Sequence, residues 1–404
     1  MSDSFISNYI TYAIKLAQRG RGFVNPNPLV GAVIVKGGKI IGEGWHKKYG
    51  GLHAEREAIA DAKRRGNSCR GADIYVTLEP CCHTGKQPPC TDAIIAEGFA
   101  RVFVGSNDPN PLVSGKGFEI LRKAGIEVYT ECLKAECDAI NKTFFHYITT
   151  KTPYITMKYA VTADGVTSCA TGDSKWISCE KSRELVQKER ACNMAVMTGI
   201  NTVLADDPML NCRLSAKDCG FEGSEVRQPV RIVCDSNLQI PLDCKLVATA
   251  KEVPLIVACA LSGGEIEKNC KAIELRSRGV EIITTSDTSI KNEKVNLKRL
   301  VNILGERGID SVLLESGGIL NGAALKAGIV NKIQVFIAPK IVGSVCIADI
   351  LSGGKPSDVS VTGAKIFSPV RQVIAEHPAQ AIVLGSPKVS LIENDVLLEY
   401  EVKN

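Results

Sequence analysis

Hydrophobic and polar positions in the first third of the chain follow two periods. Phe5, Tyr9, Ala13, Leu16 and Ala17 recur at helical spacing, which predicts an amphipathic helix over 3–19, ended by R-G-R-G. The run L-V-G-A-V-I-V-K predicts a buried strand at about 29–36, and Gly37-Gly38 turns the chain into a second strand, K-I-I-G-E-G-W. Helix formers fill A-E-R-E-A-I-A-D-A-K after His53 and T-D-A-I-I-A-E after Cys90. Strands are expected at 73–78, 101–105 and 126–129, with a helix at 116–124. Helices alternating with strands make a three-layer α/β/α domain.

The pattern restarts near 148, where T-P-Y-I-T-M-K-Y-A-V follows a helix ending at F-F-H-Y, so two domains are expected, 1–147 and 148–404. The second alternates again. A helix at 180–190 precedes strands near 194–198, 230–235, 254–259 and 280–284. A helix at 293–307 then leads to S-V-L-L-E, an S-G-G turn, another helix and the strand in K-I-Q-V-F-I-A-P-K-I-V-G. From about 363 the tail reads as antiparallel strands. No internal repeat is visible.

Composition narrows the class. Hydrophobic residues at 45% and charged residues at 23% describe a globular protein. The net charge of +5 is spread along the chain without a basic patch, which favours small anionic substrates over nucleic acid. No segment reaches the ~20 apolar residues of a membrane span, and the start has no signal-peptide pattern. A cytoplasmic protein with reduced thiols is expected, so most of the 16 cysteines are small core or surface residues.

His53, Cys81 and Cys90 offer one imidazole and two thiols, a donor set suited to Zn²⁺ with a fourth position open. Each lies at the start of a helix or beside one, where exposed N–H groups stabilise thiolates. Glu55, two residues after His53, is placed as an acid/base rather than a ligand. H-x-E joined to P-C…C is the pattern of zinc-dependent base deaminases. Eight residues separate Cys81 from Cys90, where nucleic-acid base deaminases have two. The alternatives are a structural zinc knuckle, or reduced cysteines that never meet; in a non-catalytic zinc-stabilised protein His83 could be a fourth ligand. Cys82 is left out of the set.

Taken together, N-P-N-P-L-V-G-A-V-I-V, H-A-E, L-E-P-C-C-H-T-G-K-Q-P-P-C and D-P-N-P in the first half, with M-K-Y-A-V-T-A-D-G, G-D-S-K-W-I-S, T-V-L-A-D-D-P-M-L-N-C-R, V-C-D-S, L-L-E-S-G-G and I-A-P-K-I-V-G in the second, resemble the bifunctional deaminase/reductases of riboflavin biosynthesis. The resemblance covers nearly the whole chain. It implies a cytidine-deaminase-like domain followed by a dihydrofolate-reductase-like domain, and two cofactors, Zn²⁺ and NADPH. The first domain would release ammonia from 2,5-diamino-6-ribosylamino-4(3H)-pyrimidinone 5′-phosphate. The second would reduce the ribosyl chain with NADPH, giving 5-amino-6-ribitylamino-uracil 5′-phosphate. A small-molecule substrate and a homo-oligomer follow from the same likeness, while the spread charge and the lack of an apolar span argue against nucleic-acid and membrane partners.

By motif position, the resemblance makes His53, Cys81 and Cys90 the zinc ligands and Glu55 the proton carrier, and puts Asn27, His46, His83, Lys86, Asp108 and Asn110 around the deaminase substrate. Ala160, Trp176, Thr202, Asp206, Ser236, Gly317 and Gly318 would contact NADPH, with Asp206 toward its ribose or nicotinamide end. Ser174, Arg190, Leu210, Arg213 and Glu315 would face the pyrimidine or its ribose phosphate. For either arginine a plain ion pair is the alternative, less so for Arg213. The chain departs from the family pattern at Val166, where arginine is common, at Lys86 for arginine, at Cys82 for serine and at Ser316 for glycine or alanine. The competing readings are a tRNA or nucleoside deaminase, a non-catalytic zinc-stabilised binding protein, and a reductase domain that is structural only.

Overall fold

The structure is a computed structural model that describes residues 3–84, 87–110, 114–167, 177–221, 225–286, 294–342 and 381–403. It divides into two compact units: Met1–Pro153 with Ser215–Arg227 and Gly308–Asp310, and Tyr154–Leu214 with Gln228–Arg307 and Ser311–Asn404.

The first unit runs α1 (Asp3–Gln18), β1 (Gly31–Lys36), β2 (Lys39–Trp45), α2 (Ala54–Arg64), β3 (Asp73–Leu78), α3 (Cys90–Glu97), β4 (Arg101–Ser106), α4 (Lys116–Lys123), β5 (Glu127–Tyr129), α5 (Lys134–Ile140) and α6 (Lys142–Thr150). Its sheet has the order β2-β1-β3-β4-β5. β1 is antiparallel to both neighbours, whereas β3, β4 and β5 are parallel. Every residue of β3 is buried because helices cover both faces. On one face Ile10, Ala13 and Leu16 of α1 pack with Cys137 of α5 against Val33, Tyr75 and Phe103. On the other, Ala54 and Ala58 of α2, Ile94 of α3 and Leu121 of α4 pack against Ile34, Ile74 and Val104. This is the expected three-layer α/β/α fold. Phe5, counted with the apolar stripe of α1, is instead exposed.

Strand direction gathers the loops that matter. Gly31 at the start of β1 pairs with Trp45 at the end of β2, Ala32 pairs with Val76, and Leu78 at the end of β3 pairs with Ser106 at the end of β4. The segments before β1 and after β2, β3 and β4 therefore meet at one sheet edge. Helix α2 starts there and lies almost on the backbone of β2. A Cβ on Gly44 would stand 2.7 Å from Ala54 O and overlap the Ala58 amide.

The second unit runs β6 (Tyr154–Thr162), α7 (Glu180–Cys192), β7 (Ala195–Gly199), α8 (Ile200–Asp206), then α9 (Ala216–Cys219, in the excursion grouped with the first unit), β8 (Val230–Cys234), α10 (Lys245–Ala248), β9 (Leu255–Cys259), α11 (Gly263–Lys268), α12 (Cys270–Ser277), β10 (Val280–Thr284), α13 (Leu297–Glu306), β11 (Ser311–Glu315), α14 (Gly318–Lys326), β12 (Lys332–Ala338), β13 (Lys388–Ile392) and β14 (Asp395–Glu401). Nine strands follow the order β10-β9-β8-β7-β11-β6-β12-β14-β13, parallel through β12 and antiparallel beyond. The antiparallel tail is present at β13 and β14, and its expected beginning near 363 lies outside the described residues. The core joins Val196, Val233, Val257 and Leu313 of the sheet to Leu246, Ile266, Ala272 and Leu275 of the helices over it. In a parallel sheet the C-terminal strand ends share one edge, where ligands settle.

Gly44→Ala is expected to push the start of α2 off the sheet, costing about 1–3 kcal/mol by overpacking and loosening His53. Urea unfolding read with zinc content per chain checks both effects.

Candidate active sites

Helix α3 has Pro89 at its cap, which offers no side-chain acceptor to the first N–H groups. Cys81 fills that role from across the loop. Its carbonyl accepts from Cys90 N (3.0 Å) and Thr91 N (3.2 Å), and its sulfur accepts from Cys90 N (3.3 Å). Arg56 of α2 closes the same loop by donating to Pro89 O (2.9 Å). His53 sits at the cap of α2, with Nδ1 3.4 Å from each of the sulfurs of Cys81 and Cys90.

The three ligand atoms all lie within 4.8 Å of one another. Tetrahedral Zn²⁺ with its usual bond lengths holds S and N ligands about 3.5–3.8 Å apart, so this donor set fits zinc. His83, exposed, is not in the cluster, and neither is Cys82. Among the described residues, the site therefore has three protein ligands, as a catalytic zinc needs. Hydrogen bonding, first from Cys90 and then from His53, draws the Cys81 thiol down, while Cys90 beside that negative sulfur is pushed up. The pair thus holds one proton that a divalent cation displaces.

Glu55 lies in the first turn of α2, 3% exposed. Burial, then the charge of Cys81, holds its carboxyl above the usual range, which suits a group that both takes and gives protons. His46, after β2, donates from Nδ1 to Leu52 O (2.9 Å). A carbonyl can only accept, so Nε2 of the neutral ring accepts from Asn27 Nδ2 (3.1 Å). Burial lowers the His46 pKa and keeps it neutral. Its ring stands edge-on to His53 with centroids 5.5 Å apart, so His46, held by Asn27, packs against His53.

Asp108 and Asn110 follow β4, and Asp108 accepts from Asn110 N (2.8 Å). Sequence reasoning singled out neither the residue that shapes this loop nor its role. Glu79, buried after β3, accepts from Gly115 N (3.0 Å), Gly117 N (3.1 Å) and Asp108 N (3.4 Å). It was legible only as part of L-E-P-C-C. Lys86 lies outside the described residues.

In the second unit a cleft of about 900 Å³ opens at the C-terminal strand ends, within the ~300–1,000 Å³ of ligand sites. Ala160, Thr202, Asp206, Ser236, Gly317, Gly318, Arg190, Leu210, Arg213 and Glu315 all line it. Ser174 and Trp176 lie outside the described residues. Gly317 caps α14, and a Cβ there would meet only Thr202 Oγ1, at 3.9 Å. That open cradle at a helix N-terminus fits a phosphate of a dinucleotide. Ser316, the departure from glycine, ties two strand ends by accepting from Gly199 N (3.0 Å). Val166 closes a turn through its backbone, donating to Thr162 Oγ1 (3.0 Å) and accepting from Thr162 N (2.9 Å).

Arg190 grips Glu315 with both arms of its guanidinium (2.6 and 2.9 Å) and donates to Asn211 O (3.1 Å). Each side chain is 12% exposed, so this is an internal pair at the cleft floor. Arg213 is exposed, its backbone N–H held by the Gln187 side chain (2.9 Å), and Gln228 clasps Cys212 next to it. Leu210 in this loop adopts a left-handed φ of 51° while 3% exposed. Lys158, on β6, also lines the cleft and was not singled out from the sequence; burial lowers its pKa.

The fold and sites define a zinc-dependent deaminase joined to a nicotinamide-dependent reductase. Two family profiles match. "Cytidine and deoxycytidylate deaminase zinc-binding region" covers residues 3–106, and "RibD C-terminal domain" covers 153–370. The chain is 46% identical to the riboflavin biosynthesis protein RibD of Actinobacillus pleuropneumoniae over 98% of this chain and 95% of that one. It is 40% identical to Escherichia coli RibD over 83% and 88%. Among solved structures, Acinetobacter baumannii RibD matches with a TM-score of 0.79 at 32% identity, covering 100% of both chains. The Thermotoga maritima diaminohydroxyphosphoribosylaminopyrimidine deaminase/5-amino-6-(5-phosphoribosylamino)uracil reductase matches with 0.79 at 34%, covering 99% of both. The chain belongs to the RibD family of bifunctional riboflavin-biosynthesis enzymes. It is a deaminase and a reductase, with zinc and NADPH as its cofactors. Among the described residues no helix is long and apolar enough to cross a membrane.

Burial first, with the charge of Glu79 adding, raises the Asp108 carboxyl from 3.8 to about 6. A raised acid favours the native state below its unfolded pKa and loses that advantage as pH rises through about 6. Asp108→Asn, never charged, should therefore be more stable than wild type at about pH 8, by roughly 1–3 kcal/mol. The gap should shrink toward pH 5. Urea melts at both pH values measure it.

Proposed function

We propose that residues 1–147 carry the deaminase and 148–404 the reductase, with the site residues acting as follows. When bound, zinc supplies a Lewis acid that acidifies a water, and NADPH supplies a hydride. His53, Cys81 and Cys90 hold the metal, and Glu55 does the proton work. It takes a proton from the attacking water and passes it to the 2-amino group, which leaves as ammonia. Asn27 and His46 keep His53 in place, while His83, Lys86, Asp108 and Asn110 orient the pyrimidine and its phosphate. The observation that carries this reading is Glu55, buried one turn from three clustered ligand atoms.

In the second unit, hydride arriving at the ribosyl C1′ opens the sugar ring, and the ring oxygen needs a proton. Lys158 is the cleft-lining ammonium whose lowered pKa makes it a ready donor. Ala160, Trp176, Thr202, Asp206, Ser236, Gly317 and Gly318 seat the cofactor. Arg213 faces the substrate phosphate with Ser174 and Leu210 alongside, and the Arg190–Glu315 pair presents carboxylate oxygen to sugar hydroxyls. The fourteen described cysteines are free thiols, which supports a cytoplasmic setting. A homo-oligomer, supported by family likeness, is readable by light scattering.

Incubation with the diamino-pyrimidinone ribosyl phosphate, with and without NADPH, tests both halves. Ammonia should appear in both tubes, and NADPH absorbance should fall after it in one. Glu55→Gln should lower ammonia release by about 10²–10⁴-fold, with zinc content kept and reduction of the already deaminated intermediate unchanged. Wild-type ammonia release in that variant would remove Glu55 from the mechanism.

A further inference from the structure

Five cations line the cleft: Lys158 on β6, Arg183 and Arg190 on α7, Arg213 between α8 and α9, and Lys294 before α13. Arg183 and Lys294 have no role in the proposed function, and Arg183 donates to Ser178 O. Lys294 lines the cleft just before α13, exposed, and belongs to the β8 side. The next residue fixes it there: Val295 N donates to Ser236 Oγ (3.2 Å), on the turn that leaves β8. Asn296 N, one further on, donates to Thr285 Oγ1 (3.0 Å). Ser236, Asn237 and Lys294 thus share one end of the cleft.

We propose that Lys294, with Ser236 and Asn237, forms the subsite for the adenosine 2′-phosphate and so selects NADPH over NADH. The inference rests on the second unit being the reductase. The strand order orients the cofactor. The phosphate cradle at Gly317 follows β11, Ala160 lies on β6 to one side, and Ser236 follows β8, two strands to the other side. Two strand spacings are roughly 10 Å. With its nicotinamide toward Ala160 and its pyrophosphate at Gly317, the dinucleotide extends its adenosine toward β8.

The acid that would instead bind a free ribose diol is turned away. Asp235, at the end of β8, is 0% exposed, and its carboxylate accepts from Ile240 N (2.7 Å). The cleft-lining carboxylates are Asp206 and Glu315, on other elements, and Glu315 is gripped by Arg190. The β8 end therefore presents a hydroxyl, an amide and an ammonium, a donor set for a phosphate dianion.

The test is calorimetric titration of the full-length, zinc-loaded protein with 2′,5′-ADP and with 5′-AMP, for wild type, Lys294→Met and Lys294→Arg. Wild type should bind 2′,5′-ADP at least about tenfold more tightly than 5′-AMP. Lys294→Met should lose most of that preference with 5′-AMP affinity unchanged, and Lys294→Arg should keep it. The KM for NADPH in reduction should rise in Lys294→Met with kcat held. A full preference in Lys294→Met, or equal losses for both nucleotides, would overturn the subsite and leave the reductase reading standing. Wild type that binds neither nucleotide and oxidises no NADPH would overturn both.

Discussion

Everything in the first unit depends on how the start of helix α3 is satisfied. Its first N–H groups have no side-chain acceptor at Pro89, and Cys81 supplies carbonyl and sulfur from the end of β3. Because Cys81 both satisfies the helix start and places its sulfur in the donor cluster, the distance from β3 to α3 is fixed by hydrogen bonds to backbone N–H groups. The eight residues between Cys81 and Cys90 can then form a loop without loosening the ligand geometry. With this longer spacing the three donor atoms still lie within 4.8 Å of one another.

The second determinant is close packing of α2 on β2. Only glycine at 44 lets the helix start touch the sheet, and that start carries both His53 and Glu55. Burying Glu55 is costly for a carboxylate, and the raised pKa records that cost. The same burial gives the group its use, since an acid poised to hold or release a proton needs both forms within reach. Glu79 shows the opposite solution: burial raises its pKa too, but its carboxylate accepts three backbone N–H groups and fixes a loop.

Much of this was legible in the sequence where chemistry is local. H-A-E and P-C-C…P-P-C pick out the three donors that the structure clusters, because a donor set and a helix start coincide within a few residues. Most strands were placed within two residues, since buried parallel strands read as continuous apolar runs. The short helices α8 and α10–α12 escaped because four to eight residues carry too little periodicity. The Ser262–Glu265 capping box at the start of α11 is a local signal that sequence reasoning did not use. Arg190 and Glu315 were read as separate substrate contacts, and nothing local predicts a pair separated by 125 residues. Likewise Lys158 looks like one more lysine on a strand until the parallel sheet carries it into the cleft.

Charge explains why the two sites are built so differently. The first unit buries one carboxylate, Glu55, beside three clustered donor atoms, which concentrates its field at one point. The reductase must hold two phosphate-bearing molecules at once, and its cleft is lined by five cationic side chains against two carboxylates. Arg190 and Glu315 cancel each other at the floor, which leaves a surplus of positive charge distributed over Lys158 on β6, Arg183 on α7, Arg213 in the 210–213 loop and Lys294 before α13. A surplus concentrated at one point would draw either phosphate to the same place. Spread over a strand, a helix and two loops, the charge offers anionic groups several separate points along the cleft, which can set direction as well as affinity.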